Sequence, residues 1–443
     1  MFHRKDSAKI RVIGKDGKPA SNTRVHINQI NHEFLFGCGA FETLPYTHGQ
    51  AVHNGTGAPL PVGPDGHQFT EEELKALHTR LEDRMEKWLN LFNYGTLPFY
   101  WGGFEPEEGK PHTDQLMAAA KFLKSRDVTV KGHPLCWHTG CVPWLMNYDN
   151  QTIIKKQIER IHREVSNFKG IIDMWDVINE VVIMPVYDKY DNAITRICKE
   201  LGQVGIIKTV FDAAQESNPV GDFLINDFNM SEKYEKLIAD CLDAGAPIKT
   251  IGLQSHQHQG VWTLEKTEEI LARFEHFGLP IHFTENTIVA GPLVAPEITD
   301  LQDAHYDDDA ATPEFEQKQA DDLSKMYRNL FENHPLVTAI TNWDFGDGAW
   351  LNAPSGVIRK DGSLKPSYNA LHQLIKEEWH TELDASTDAN GFITIEGYKG
   401  KYEISADRET GGDSKAGGSA GNAAGGSAIF TLSQAKDSDV TLK

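Results

Sequence analysis

The sequence predicts an α/β protein built on a (β/α)8 barrel, with a small β-sandwich formed by strands from both ends of the chain. Three observations carry that prediction. Between residues 31 and 384, short apolar runs alternate eight times with amphipathic stretches of helical period. Such alternation means parallel strands joined by helical crossovers, and eight units favour a closed barrel over an open sheet. At both termini the period is two instead, as in half-buried strands. Polar clusters follow directly on the apolar runs, at the strand ends where barrels of this kind carry their active sites.

The expected organisation is residues 1–30 as an N-terminal hairpin, 31–384 as the barrel, and 385–443 as the remaining strands of the sandwich. AKIRVIG and TRVHINQI flank the turn signal KDGK. FLFGC is the first buried run. Leu44–Glu73 is rich in Gly, Pro and His without periodicity, and is expected as a long loop over the catalytic end. TEEELKALHTRLEDRMEKW is amphipathic, with Thr70 placed as its N-cap and acidic residues in its first turn. The strands LNLFNYGT, VTVKGHPLCWH, IIDMWDVINE, DFLINDFN, IKTIGLQSHQHQG, LPIHFTEN and LVTAITNWDFGDG follow, separated by helices. One helix spans Ala193–Ser217, and Gly245 stops another. SYNALHQLIKEEW closes the series. GFITIEG and KGKYEISA then alternate with period two. Residues 409–428 are Gly, Ala and Ser of low complexity, a linker composition.

Composition excludes several functions. The formal charge is -21 over 443 residues, so nucleic acid and anionic membrane are not expected partners, whereas a neutral sugar chain is not repelled. No run approaches a membrane span, and MFHRKDSAKI leads into no apolar signal segment. Five cysteines form no disulfide framework, although Cys136 and Cys141 flank a short loop and free thiols or a bridge both fit there. Without a C-x-x-C pair no structural zinc is expected, and no cofactor is called for.

The chemistry centres on two glutamates. Glu180 closes DMWDVINE, and Glu285 closes the apolar strand of PIHFTEN. A carboxyl group at the end of a buried strand is an expensive placement, and two of them suggest a pair. Cleaving a glycosidic bond with retention needs two carboxyl groups about 5–5.5 Å apart, one protonated and one ionised. The pattern assigns Glu180 as acid/base and Glu285 as nucleophile. Asn179 stands beside the acid and can donate to a sugar 2-hydroxyl. GHPLCWH supplies His133 and Trp137, a ring donor and a flat face for a pyranose. QSHQHQ supplies Gln254 and His256, either of which can orient the nucleophile. NWDFGDGAWLN places Trp343 and Trp350 to wall a sugar site.

WDVINE, GHPLCWH, INDFN, IGLQSHQHQG, HFTEN and NWDFGDGAWLN…KPSYNAL, in this order over about residues 30–376, resemble glycoside hydrolase family 10. That family is best known as retaining endo-1,4-β-xylanases on a (β/α)8 barrel. The resemblance implies the same roles for Glu180 and Glu285. It also implies His133, Trp137, Asn179 and Gln254 around the sugar at the cleavage point, His256 beside the nucleophile, and Trp343 and Trp350 as sugar platforms. An oligo- or polysaccharide is the implied substrate, and secretion the implied compartment. Two departures stand out. Where the family carries E-N-x-x-K-W, this chain reads T-L-P-F-Y-W, so Leu97 and Tyr100 occupy the Asn and Lys positions. Thr287 replaces the Asp expected two residues after the nucleophile. Apolar groups cannot replace sugar hydrogen bonds without leaving hydroxyls unpaired. Exo-action on a decorated or non-xylan substrate, a non-catalytic sugar-binding barrel, and a metal-dependent barrel hydrolase using His256 and His258 therefore stay open as other readings.

Overall fold

The computed structural model describes residues 2–48, 52–53, 59–60, 70–406, 426–433 and 438–443. Its larger compact unit comprises Leu35–Leu330 and Leu336–Leu371. Eight strands close into a barrel in sequence order: Leu35–Gly39, Tyr94–Pro98, Thr129–His133, Met174–Asn179, Asp222–Asp227, Thr250–Leu253, Ile281–Asn286 and Val337–Asn342. All eight neighbouring pairs are parallel, the eighth strand against the first included. The strands read as near-continuous apolar runs because helices cover the outside and side chains fill the inside. In the fourth, Trp175, Val177 and Ile178 are fully buried.

The helices start where the sequence carries caps. Thr70 and Glu73 form a reciprocal capping box before Glu71–Leu91, with Thr70 N donating to Glu73 Oε2 at 2.7 Å and Glu73 N to Thr70 Oγ1 at 3.3 Å. Asp149, Asn192, Ser231 and Thr263 cap four later helices by accepting a single backbone N–H on the side chain. The expected helix Ala193–Ser217 is two helices meeting at Gly202, whose φ of 71° and ψ of 162° break the helical path. Of the expected loop Leu44–Glu73, Thr43–His48 is instead a short helix, 52–53 pairs with 59–60, and the helix from Glu71 begins inside its range. The rest of that stretch, like residues 409–425 of the low-complexity segment, lies outside the described residues. Cys136 and Cys141 are free thiols.

The smaller unit comprises Met1–Phe34, Phe331–Pro335 and His372–Lys443. Lys5–Ile13 lies between Phe392–Tyr398, antiparallel, and Ser438–Thr441, parallel. A second sheet runs Glu382–Ser386, Arg24–His32, Gly400–Ala406 and Gly426–Leu432. One apolar core joins the two sheets, with Ile10, Val12, Ile27, Ile395, Tyr402, Ile404 and Leu432 within it. The two N-terminal strands thus lie in different sheets and do not pair as the expected hairpin. The apolar alternation of both is satisfied across the sandwich instead. Trp379, at the end of the closing helix, packs tilted against Phe331 at 4.3 Å, which in turn meets Phe34 edge-on at 5.1 Å.

Packing between barrel strands is tightest beside the polar mouth. A Cβ on Gly132 would stand 2.2 Å from the Trp175 ring. Gly132→Ala is expected to destabilise the chain by about 1–3 kcal/mol through overpacking. A lowered urea midpoint would show it, and an unchanged midpoint would refute the steric account.

Candidate active site

The sequence-predicted polar residues converge at the C-terminal ends of consecutive strands. His133 ends the third strand and Asn179 the fourth, with Glu180 next in the chain. Asn226 and Asp227 end the fifth, Gln254 follows the sixth, Glu285 is the penultimate residue of the seventh, and Trp343 follows the eighth. Parallel strands with matched registers bring these ends into one ring.

A chain of hydrogen bonds links the two glutamates. Trp137 Nε1 donates to Glu180 Oε2 at 2.8 Å. Gln254 Nε2 donates to Glu180 Oε1 at 3.4 Å and to Asn179 Oδ1 at 3.0 Å. Asn226 Nδ2 donates to the same Asn179 oxygen at 2.8 Å and to Glu285 Oε1 at 2.7 Å. Thr284 Oγ1 fixes Asn226 from behind by donating to its Oδ1 at 2.6 Å. On the other side of Glu285, His256 Nε2 lies 3.0 Å from Oε2, while His256 Nδ1 lies 3.0 Å from Thr287 Oγ1. His133 Nε2 stands 3.9 Å from Glu285 Oε1.

These surroundings move the two carboxyl groups in opposite directions. Burial pushes Glu180 up to about 8, and the nearby charge of Glu285 adds to it, against the opposing Trp137 bond. Burial acts on Glu285 as well, but His133, the His256 hydrogen bond and Lys131 outweigh it, holding that carboxyl below the ordinary glutamate value. Near neutral pH the pair therefore offers one proton donor and one anion. Glu180 also has a positive φ of 56°, uncommon for a residue with a side chain, and its N–H donates to Asn226 O at 2.9 Å.

Below this pair lies a buried ion pair. Lys131 Nζ and His133 Nδ1 approach the same Asp176 oxygen at 2.6 and 2.7 Å, with all three side chains almost fully enclosed. Burial would raise Asp176, but Lys131 and His133 outweigh it and keep its carboxyl ionised. The sequence reading gave no role to Asp176, Lys131 or Asn226, although Asp176 sits inside DMWDVINE and Asn226 inside INDFN. A charged or amide residue within an apolar strand is the available signal.

The aromatic residues do not all stand open. Trp343 is 8% exposed, meeting His133 edge-on at 5.3 Å and Phe41 at 5.5 Å. Trp350 is half-buried, with His256 at 4.7 Å and His258 at 5.1 Å between ring centroids. The Trp350 loop is held by Asp347, paired with Lys365 at 2.9 Å, and by Ser355 donating to Asp344. Tyr100 faces His133 at 5.5 Å and Trp137 at 5.5 Å, which places it in the site, while Leu97 is fully buried. His256 uses both ring nitrogens on Glu285 and Thr287, and among the described residues no group of three or more metal-binding side chains is gathered. No helix among them is long and apolar enough to cross a membrane.

Fold and site together define an α/β barrel with paired carboxyl groups at its mouth. A model of glycosyl hydrolase family 10 matches residues 99–374, more than half of the chain, and the chain belongs to that family. Among curated relatives, the endo-1,4-beta-xylanase/feruloyl esterase of Xylanibacter ruminicola is 23% identical over 67% of this chain and 43% of its own length. The endo-1,4-beta-xylanase 1 of Arabidopsis thaliana is 25% identical over 73% of this chain and 32% of its own. The chain thus spans less than half the length of either. Native xylanase 10B from Thermotoga maritima has a similar fold, with a TM-score of 0.58 at 22% identity, covering 78% of this chain and 96% of that one.

Removing the Asp176 charge leaves Lys131 buried without a counter-ion. Asp176→Asn is expected to cost about 3–5 kcal/mol of stability. Chemical denaturation followed by tryptophan fluorescence measures it, and a change below 1 kcal/mol would mean Lys131 is not held by this charge.

Proposed function

We propose that the protein is a retaining glycoside hydrolase that cleaves β-glycosidic bonds in xylan or a related β-linked glycan by double displacement. The observation that carries this reading is the opposite displacement of the two carboxyl groups, Glu180 held protonated and Glu285 held ionised. Membership of the family supports the reaction class, and the xylanase relatives support the substrate class.

In the first step a Glu285 oxygen bonds to the anomeric carbon while the bond from that carbon to the leaving oxygen breaks. Glu180 gives its proton to that oxygen. Asn226 and His256 leave Glu285 oriented, so little reorganisation accompanies the attack. In the second step water adds to the anomeric carbon and gives a proton back to Glu180, and Glu285 leaves as carboxylate. As the anomeric carbon becomes positive, its 2-hydroxyl becomes a stronger donor, while the Asn179 amide nitrogen donates to that hydroxyl's oxygen and keeps it in place. Gln254 and Asn226 hold that amide by its oxygen.

The roles predict a bell-shaped pH dependence of kcat/KM. Activity falls as pH rises through about 8, where Glu180 loses its proton, and falls again below the ordinary glutamate range, where Glu285 gains one. Glu285→Ala is expected to abolish turnover of soluble xylan. Glu180→Ala should slow xylan hydrolysis by about 10²–10⁴-fold. It should slow an aryl glycoside with a good leaving group far less, and azide should restore that turnover with retained configuration. Full xylan activity in Glu285→Ala would refute the assignment. Product release from 4-nitrophenyl β-xyloside, β-xylobioside and soluble xylan provides the assay.

A further inference from the structure

The mouth of the barrel is divided into two unlike halves. Strands four to seven bring Asn179, Glu180, Asn226, Gln254, His256 and Glu285, a continuous polar network. The neighbouring strands eight, one, two and three bring rings. Phe41 and Trp343 meet at 5.5 Å, Trp343 and His133 at 5.3 Å, His133 and Tyr100 at 5.5 Å, and Tyr100 and Phe41 at 6.4 Å, so the four rings close on themselves.

Most polar side chains at these strand ends are committed to the protein. Glu42 is held by Arg84 Nε at 2.7 Å, His133 Nδ1 by Asp176, and Asp344 by Ser355. Asn342 Nδ2 donates to Asp344 O at 2.6 Å. Leu97 adds only buried carbon. Tyr100 differs. It is half-buried, and the charges of Glu285 and Glu180 both act on its hydroxyl, which burial keeps protonated far above neutral pH. Its ring stands 5.5 Å from those of both His133 and Trp137, which border Glu285 and Glu180 in turn, so it is a donor close to the two carboxyl groups.

We propose that Tyr100 is a further substrate-contacting, specificity-determining residue: its hydroxyl donates to the glycosyl unit carried by Glu285, and its ring closes the mouth around that unit. The inference rests on the glycosidase reading. That glycosyl unit must lie against Glu285, whose neighbour on the ring-lined half is His133, and Tyr100 stands edge-on to His133. A sugar there meets carbon faces suited to its C–H surface and the Tyr100 phenol for its hydroxyls. Selection on this half then draws on ring shape and the Tyr100 donor.

The test separates hydroxyl from ring and binding from turnover. Xylotriose is titrated calorimetrically into Glu285→Ala, Glu285→Ala/Tyr100→Phe and Glu285→Ala/Tyr100→Ala, with melting curves confirming that each folds. The Phe variant is expected to weaken binding by about three- to tenfold, the worth of one hydrogen bond, and the Ala variant by more. In the otherwise native chain, Tyr100→Ala is expected to raise turnover of 4-nitrophenyl β-glucoside relative to β-xyloside at least ~5-fold, because the glucoside adds a hydroxymethyl group to the same unit. Affinities within twofold of the parent together with an unchanged glucoside-to-xyloside ratio would overturn the proposal. Weakened xylotriose binding in a chain whose native form turns over no glycoside would retain Tyr100 as a sugar contact and sink the hydrolase reading alone. No xylotriose binding to Glu285→Ala at millimolar concentration overturns the proposal and removes xylan from the substrate class, leaving the hydrolase reading to the glycoside assays.

Discussion

The barrel mouth depends on keeping one charge, that of Glu285, inside the protein. An ionised carboxylate is stable out of water only when its oxygens are occupied by donors. Asn226 and His256 supply one to each oxygen, and His133 and Lys131 add favourable charge at longer range. The rest follows from that anion. Its charge is among the reasons Glu180, enclosed in the same cleft, retains a proton. Two chemically identical side chains thereby take different tasks because their surroundings differ.

Holding that arrangement requires rigid support. Each contact residue is itself fixed by another: Asn226 by Thr284, His256 by Thr287, and Asn179 by both Asn226 and Gln254. Glu180 accepts an uncommon backbone conformation with its N–H anchored on the fifth strand. The loop that follows it is tied at Val182 to Asp227 and at Lys189 to Asp300 and Asp303. Strain of this kind persists where surrounding bonds over-determine the geometry, and it concentrates at sites that do chemistry.

Beneath the mouth, Lys131, Asp176 and His133 are a costly burial that a plain apolar core would avoid. Its position explains its presence. Asp176 holds the ring of His133 so that the other nitrogen faces Glu285, and Lys131 balances the Asp176 charge. The ring-lined half, to which His133 belongs, adds Phe41, Tyr100 and Trp343 around it. The half that carries the two glutamates is thus heavily specified by hydrogen bonds, while the ring-lined half is specified by packing.

The sequence alone determined the barrel, its strand order and the two glutamates. Eight apolar runs separated by capped amphipathic helices admit few other folds, and two glutamates closing two buried strands read as a pair. Thr70 was legible as a cap because capping is local, acting within one helical turn. What only the tertiary structure decided involves residues far apart in the chain. The pairing of the two N-terminal strands with different sheets depends on partners nearly 400 residues away. The inequality of Glu180 and Glu285 arises from strands three, five and six converging on them. The break at Gly202 and the helix inside the expected long loop escaped the pattern because neither interrupts composition visibly. Trp343 reads in sequence as an open platform and is closed in the fold, since burial of a side chain is set by what packs against it and not by its own identity.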